Sequence, residues 1–445
     1  MYRQLDIDTI LKNLDNIENN AMTIKLDKYE PTLTEINSVY KEITNFIKTN
    51  NRIVYGGYAQ NELIRNKNKD DTFYKVTDLA DIEFYTPDPI GDLIDLCDIL
   101  YKKKYKYVEG KEGVHIETYK IFVNFMNYCD ISYMPPDIYK NCPTITVNGL
   151  RLCHPQFMLI DAYRVYCDPM TSYFRLSKTF TRFTKLMKYY PFNDNMIYNK
   201  IDITTSNKEE HDGFLYYIRK KIFQHSKLII VGTYCFNNLM KIAKMPETYL
   251  LEDSFYQVIS TEYNNDINYI YQKLLKYNKD IKKKSYTPFY QFVDKSTEFY
   301  YNDNLILRVY GANDRCTVYR KSEKKKVLFG TFQLLFLYSL INYNIGIIRG
   351  NKFNETLYAT MIVRLLKARD TYLENNNITI LDKSPFQEFT TECIGEPKDI
   401  LRESFLQRAK KREQGKQISF LYKPKGNPGK KPNFKFDNTS GDLKK

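Results

Sequence analysis

Arg52-Ile-Val-Tyr-Gly-Gly-Tyr-Ala-Gln-Asn-Glu-Leu-Ile64 runs from a short apolar stretch through a glycine pair into helix-forming residues. That order predicts a buried strand, a tight turn and a helix. Backbone N–H groups at the start of such a helix form a natural phosphate seat, which places Gly56, Gly57 and Tyr58 as candidate binding residues. Downstream lie Ala80-Asp-Ile-Glu-Phe-Tyr85 and Tyr128-Cys-Asp-Ile-Ser-Tyr133. Asp81 and Glu83 are two apart in an apolar setting, so on a strand both carboxylates point to one face. Asp130 sits in a second such segment, able to lie alongside the first. Three converging carboxylates repel unless cations hold them together, and oxygen-only sites suit hard divalent ions, Mg²⁺ or Mn²⁺. Carboxylates for metal and amides for phosphate together imply nucleotidyl transfer. The structural alternative is a plain strand-to-helix turn with strand-end acids; the three acids behind the glycines count against it. Asp78, three residues from Asp81, is expected on the opposite strand face.

The order Gly-Gly, Asp-x-Glu, lone Asp resembles the DNA polymerase β-type nucleotidyltransferase superfamily. Within it the chain is similar to the poly(A) polymerase catalytic subunits of large DNA viruses, the mimivirus type above all and the poxvirus type more distantly. Tyr55-Gly-Gly-Tyr-Ala-Gln-Asn61, Asp78-Leu-Ala-Asp-Ile-Glu-Phe-Tyr-Thr-Pro87 and His154-Pro-Gln-Phe-Met-Leu-Ile-Asp-Ala-Tyr-Arg164 carry the closer match. Tyr58 departs from the superfamily, which commonly has a serine after its glycine. The resemblance implies template-independent transfer of AMP from ATP to an RNA 3′-hydroxyl, with pyrophosphate released by a two-metal mechanism. Asp81, Glu83 and Asp130 would be both catalytic residues and metal ligands. Lys178 is singled out because a basic residue from the following helix often holds the nucleotide in this superfamily. Mimivirus-type relatives are homodimers and poxvirus relatives work with a cap-methylating partner, so the oligomeric state stays open. The host cytoplasm and the virion are the locations implied.

At 445 residues the chain is long for one core, and its net charge of +14 favours a polyanionic partner, nucleic acid first. Eight scattered cysteines without a Cys-x-x-Cys pair read as reduced thiols in a cytosol-like compartment. The most apolar window, Val327 to Ile341, is too short to span a bilayer, so no membrane is expected. His115, His154, His211 and His225 show no ligand spacing and read as structural.

The expected architecture is mixed α/β, with two tandem nucleotidyltransferase-like domains and helical appendages. Residues 1–50 are expected to form helices packed on a catalytic domain at 51–200, with Leu33, Ile36, Val39, Ile43 and Phe46 on one face. The catalytic strands end in the Val147-Asn-Gly149 turn, and residues 154–190 read as helices broken near Asp168-Pro169. A second, degenerate domain is expected at 205–404. There Leu228-Ile-Ile-Val-Gly-Thr-Tyr-Cys-Phe-Asn-Asn-Leu-Met240 echoes Arg52 to Ile64: Gly232, Tyr234, Asn237 and Leu239 match Gly56, Tyr58, Asn61 and Leu63 at one constant offset. Tyr256-Gln-Val-Ile-Ser260 stands where the first copy has its acids, so the second keeps the fold without the metal site. Residues 405–445 read as a basic disordered tail, serving as a solubilising terminus or an RNA tether. Arg175, Lys178, Arg182 and Lys185 recur at helical spacing as a basic stripe, either a solvated face or a grip on triphosphate or primer. Two other functions fit the same residues: another terminal transferase, adding CCA or uridylate, and a catalytically silent RNA-binding scaffold.

Overall fold

The computed structural model describes residues 2–29, 31–74, 78–115, 117–192, 208–225, 227–322, 327–416, 419–424, 436 and 440–443. The chain divides into two compact units. The first comprises Met1–Met134, Thr144–Cys153 and Ile400–Phe436; the second comprises Pro135–Pro143, His154–Asp399 and Asp437–Lys445.

The first unit opens with helices α1 (Gln4–Lys28) and α2 (Leu33–Thr49). Thr32 caps α2 by accepting from the Glu35 N–H, and Ile36, Val39, Ile43 and Phe46 are buried along one face, as their spacing predicts. There follow β1 (Ile53–Tyr55), α3 (Gly56–Lys67), β2 (Ile82–Thr86), α4 (Pro89–Lys102), β3 (Glu109–Glu112), β4 (Thr118–Val123), β5 (Met126–Tyr133), β6 (Thr144–Val147) and β7 (Leu150–Cys153). Asn148 and Gly149 both have positive φ, 51° and 77°, which closes the β6–β7 hairpin with a tight two-residue turn. Pro89 starts α4 with Asp88 as its cap, accepting from the Gly91 N–H at 2.9 Å.

The second unit contains α5 (Pro136–Asn141), α6 (Pro155–Tyr166), α7 (Leu176–Tyr189), α8 (Lys208–Tyr217), β8 (Ile229–Val231), α9 (Gly232–Ile242), β9 (Tyr256–Ser260), α10 (Tyr263–Tyr277) and β10 (Ile281–Tyr286). It continues through β11 (Ser296–Tyr301), β12 (Asn304–Gly311), β13 (Thr317–Lys321), β14 (Leu328–Gly330), α11 (Phe332–Ile348), α12 (Lys352–Asn376) and β15 (Cys393–Ile394). The chain then returns to the first unit with α13 (Ile400–Glu413) and β16 (Leu421–Tyr422). Helix α11, apolar on all sides, is buried against α12 and α6. It takes up most of the apolar window, and among the described residues no helix is long and apolar enough to cross a membrane.

The two sheets have one topology. The first runs β16-β3-β4-β5-β2-β1-β7-β6 and the second β10-β11-β12-β9-β8-β14-β13-β15 among the described residues. Dropping β16 and β15 from the ends leaves seven strands that correspond one to one, so the repeat seen in thirteen residues extends over a whole sheet. Gly56 and Gly232 have φ of +68° and +71°, a conformation that disfavours any Cβ. Asn61 Oδ1 accepts from the N–H groups of Phe73 and Tyr74, and Asn237 Oδ1 accepts from that of Leu251. In each copy this asparagine pins the segment leading to the second strand.

Three expectations are corrected here. Helices α6 and α7, assigned by sequence to the catalytic domain ending at 200, belong to the second unit, where α6 packs on α11. Residues 193–207, which contain that expected boundary, lie outside the described residues. The expected disordered tail is in part structured: after α13, β16 pairs antiparallel with the edge strand β3, and Tyr422 donates to Asp98 at 2.7 Å. An open sheet edge offers N–H and C=O groups that even a two-residue strand satisfies, and so short a strand has no readable periodicity. The Gly426-Asn-Pro-Gly429 stretch lies outside the described residues. Finally, Cys316 and Cys393 form a disulfide across 77 residues, because β13 pairs with β15 and brings the two Cα atoms to 5.3 Å. The other six cysteines are buried and form no disulfide.

His154 has the structural duty expected of it. It caps α6, its Nδ1 accepting from the Gln156 N–H at 3.3 Å, with Pro155 at the first helical position. Burial lowers its pKa from the ordinary imidazole value. The folded chain therefore binds fewer protons at this site than the unfolded chain, so stability rises with pH across the window. His154 supports the fold above about pH 6.5, and that support is lost as pH falls through its lower folded value. Urea melts at pH 7.5 and 5.5 should show a loss on acidification that is smaller in His154→Asn, which keeps a cap without a titrating ring. An equal loss in both proteins would remove this role.

Candidate active site

Asp81, Glu83 and Asp130 all belong to the first unit, the last two on neighbouring strands. Strands β2 and β5 pair in parallel with Glu83 opposite Asp130, so the two residues share one face of the sheet. Asp81 stands one residue before β2, and Asn127 donates to both Asp81 and Asp130, at 3.3 and 3.0 Å. The Cys129 thiol beneath them is pushed well above its ordinary range by burial, with Asp130, Asp81 and Glu83 adding to the effect. Asp78 lies outside the strand, its carbonyl accepting from the Ala80 N–H, so the face argument does not apply to it.

Each carboxylate is answered by a donor. Glu83 Oε2 accepts from the Gly57 N–H at 2.9 Å, and Asp130 Oδ2 from Lys120 Nζ at 2.5 Å. Gly56 is the reason Glu83 reaches the turn: a Cβ there would stand 1.7 Å from Glu83 Oε2. The glycine turn is thus positioned as expected, and the group it cradles is the carboxylate of Glu83. Tyr58 is half-buried one turn into α3, with its phenol pKa raised by burial. Tyr40 of α2 donates to the Ala80 carbonyl at 2.8 Å and fixes the approach to Asp81.

Lys178 is exposed on α7 and belongs to the second unit, not to the unit that holds the carboxylates. Lys120, Asn127 and Tyr40 are the participants that sequence reasoning missed. A bulge explains the first two. Between Ile121 and Phe122 the β4–β5 register shifts, leaving Tyr128 as an extra residue on β5. Strict alternation would place Asn127 and Asp130 on opposite faces and set Lys120 opposite Cys129. The bulge brings all three to one face, with Lys120 opposite Asp130. The turn signal at Asn124, where φ is 48°, could have revealed the hairpin but not the bulge.

The donor set fits a hard divalent ion: carboxylate oxygens only, with one amide N–H now shared between two of them. As the side chains stand, no three acidic, His or Cys groups among the described residues are gathered closely enough to hold an ion. Glu83 leans onto Gly57 and Asp130 onto Lys120, each taking a positive or N–H partner in place of an ion.

The second unit inverts these charges. Val231 lies opposite Gln257 as Tyr55 lies opposite Glu83. Gln257 is paired with Arg308 as Glu83 is with Asp130, and Glu298 with Arg308 as Lys120 is with Asp130. The ion pair is kept with its polarity reversed, Arg308 to Glu298 at 2.5 Å. Gln257 is held by Tyr310 and Tyr358 at 2.9 and 3.2 Å. A guanidinium stands at the position that Asp130 holds in the first unit, which is the physical content of the degeneracy.

Two family models match the chain. Residues 41–172 match the poly(A) polymerase catalytic subunit, and residues 184–444 match the C-terminal part of the catalytic subunit of the APMV type. The "Putative poly(A) polymerase catalytic subunit" of Acanthamoeba polyphaga mimivirus is 33% identical over 95% of this chain and 78% of its own length. Its African swine fever virus counterpart is 29% identical over 37% of this chain and 35% of its own length. The crystal structure of the Megavirus polyadenylate synthase superposes with a TM-score of 0.93 at 32% identity, covering 100% of this chain and 93% of that one. With one family model spanning more than half of the chain and a relative aligned along nearly all of it, the chain belongs to the poly(A) polymerase catalytic subunit family.

Proposed function

We propose that the chain adds adenylate from ATP to the 3′-hydroxyl of RNA without a template, and that Asp81, Glu83 and Asp130 are the ligands of its divalent ions. The single observation that carries this reading is the in-register pair Glu83–Asp130, joined to Asp81 through Asn127. Bound divalent ions, Mg²⁺ by preference, would activate the primer hydroxyl and offset the charge of the triphosphate. Asn127 orients Asp81 and Asp130 toward one point, and Lys120 moderates their mutual repulsion. The Gly57 N–H is the donor a phosphate would use, so Glu83 and the triphosphate compete for it. Lys178 is retained as a candidate nucleotide contact, and the host cytoplasm as the place of action.

Primer extension on labelled oligo(A) RNA with each nucleoside triphosphate separately tests the specificity. Long products with ATP alone are expected. Extension with another nucleotide would keep the chemistry and move the function to a sister transferase.

Helix α1 supports a homodimer. Ile7, Ile10, Leu14, Ile17, Ala21 and Ile24 follow alternating spacings of three and four, the a and d positions of successive heptads, and all six are exposed. Leu26 is the one residue of α1 recorded as buried. A second copy of the same helix would cover this stripe. Removal of residues 1–29 should convert a dimer into a monomer in sedimentation equilibrium, with the first unit still folded. A full-length chain that sediments as a monomer at tens of micromolar would end this part of the reading.

A further inference from the structure

Away from the inverted ion pair, the second unit has a pocket of about 240 Å³ lined by Tyr216, Arg219, Lys220, Phe223, Gln224 and Tyr234, among others. Helix α8 runs directly into a π-helical turn, Ile218–Ile222, and such turns recur at functional sites. One wall is aromatic: Tyr216, Phe223 and Tyr234 line it, the last two with ring centres 6.5 Å apart, and the buried Tyr256 packs against both with its ring centre 5.2 Å from each. Tyr216 is 56% exposed, and the Lys220 ammonium sits 5.7 Å from its ring centre. Among the described residues neither Arg219 nor Lys220 is engaged in an ion pair. Asp253, which feels the charge of Arg219, is itself bonded by Asn237 at 3.1 Å.

Aromatic faces beside unpaired cations are the usual equipment for a stacked base and its phosphate. The volume suits one nucleotide rather than a larger ligand. The residues that line the pocket include no acid, so the divalent ion that accompanies a free triphosphate would find no carboxylate ligand among them. A strand phosphate needs no such ion. The unit that carries the pocket has exchanged its metal-site positions for Gln257 and Arg308, which leaves it a binding role.

We propose that this pocket seats one nucleotide of the RNA strand, its base against the aromatic wall and its phosphate on Arg219 and Lys220. The inference rests on RNA being the substrate, as read above.

The test uses the full chain and a fluorescein-labelled oligo(A) with a blocked 3′ end, titrated without ATP over a range of KCl. Each phosphate neutralised on a single strand contributes about 0.7 to the salt slope, and the two cations share one phosphate, so Arg219→Ala/Lys220→Ala should lower it by about 0.7. Tyr216→Ala should weaken binding roughly tenfold with the slope unchanged. The charge-preserving pair Arg219→Lys/Lys220→Arg should keep the wild-type slope, and matching melting curves exclude unfolding as the cause of any loss. In primer extension the alanine variants should raise KM for primer while kcat and KM for ATP hold. Variants that bind oligo(A) like wild type and extend it normally would overturn the proposal. So would a rise in KM for ATP instead of primer, which would give the pocket to free nucleotide. A wild type that neither binds nor extends oligo(A) would instead refute the substrate reading, and the pocket assignment with it.

Discussion

Asp81→Ala/Glu83→Ala should still fold, melting several degrees early for want of the Gly57–Glu83 bond, should still bind oligo(A), and should extend it at least about a thousandfold more slowly. Bound divalent ions stabilise transition-state charge by several kcal/mol, and each 1.4 kcal/mol is a factor of ten in rate. Asp81 stands at the mouth of β2, and Glu83 is only partly buried. Neither substitution opens a core cavity, and the Gly57 N–H that Glu83 leaves behind accounts for the early melting. Asp130→Asn, which keeps the bond from Asn127 within reach while removing the charge that faces Lys120, should show the same loss. The readouts are single-turnover extension, oligo(A) affinity and the melting curve, taken together. Undiminished extension by the double mutant would dissolve the assignment of this site, and lost RNA binding would mean that the acids serve the fold.

Gly56→Ala has the second largest expected effect, on stability and on chemistry alike. With φ at +68°, an added Cβ costs roughly 1–2 kcal/mol in backbone strain. It would also occupy the place of the Glu83 carboxyl, 1.7 Å from Oε2, so that the Gly57–Glu83 hydrogen bond breaks. A charge-assisted bond of this kind contributes about 1.5–3 kcal/mol. Together these should lower the melting temperature of the first unit by roughly 5–20 °C. Gly232→Ala provides the matched control. It has the same backbone problem at φ +71° and would meet Gln257 Oε1 at 2.3 Å, in a unit whose site has lost its acids. Both variants should melt early, while only Gly56→Ala should lose extension when assayed well below its transition. Equal loss of activity in the two would show that the catalytic chemistry does not reside at the first glycine turn.

The acids, the glycine turn and the repeat were legible because each is local. Asp81 and Glu83 declare their shared side by a spacing of two, and Gly56 and Gly232 mark a positive φ that few other residues tolerate. The echo of Gly56, Asn61 and Leu63 in Gly232, Asn237 and Leu239 led correctly to two sheets of one topology. Lys120, Asn127 and Tyr40 were not legible, because their roles depend on a register and on the packing of α2. The charge inversion was half visible: Gln257 could be set against Glu83, but Arg308 and Glu298 could not be matched without the pairing of β9, β12 and β11.

Sequence alone determined the main elements, the glycine turn and where the three acids fall, since strand period, glycine conformation and carboxylate spacing act within a few residues of one another. Tertiary structure decided which residues complete the site and which segments belong together. One extra residue at Tyr128 turned Asn127 and Lys120 onto the face of Asp130. An open edge at β3 drew in β16 from the basic tail, and the pairing of β13 with β15 joined Cys316 to Cys393. These are contacts between segments far apart in the chain, where the decisive term is the satisfaction of backbone hydrogen bonds and the burial of shared faces. No window of sequence contains both partners of such a contact, and so the register had to be seen in the fold.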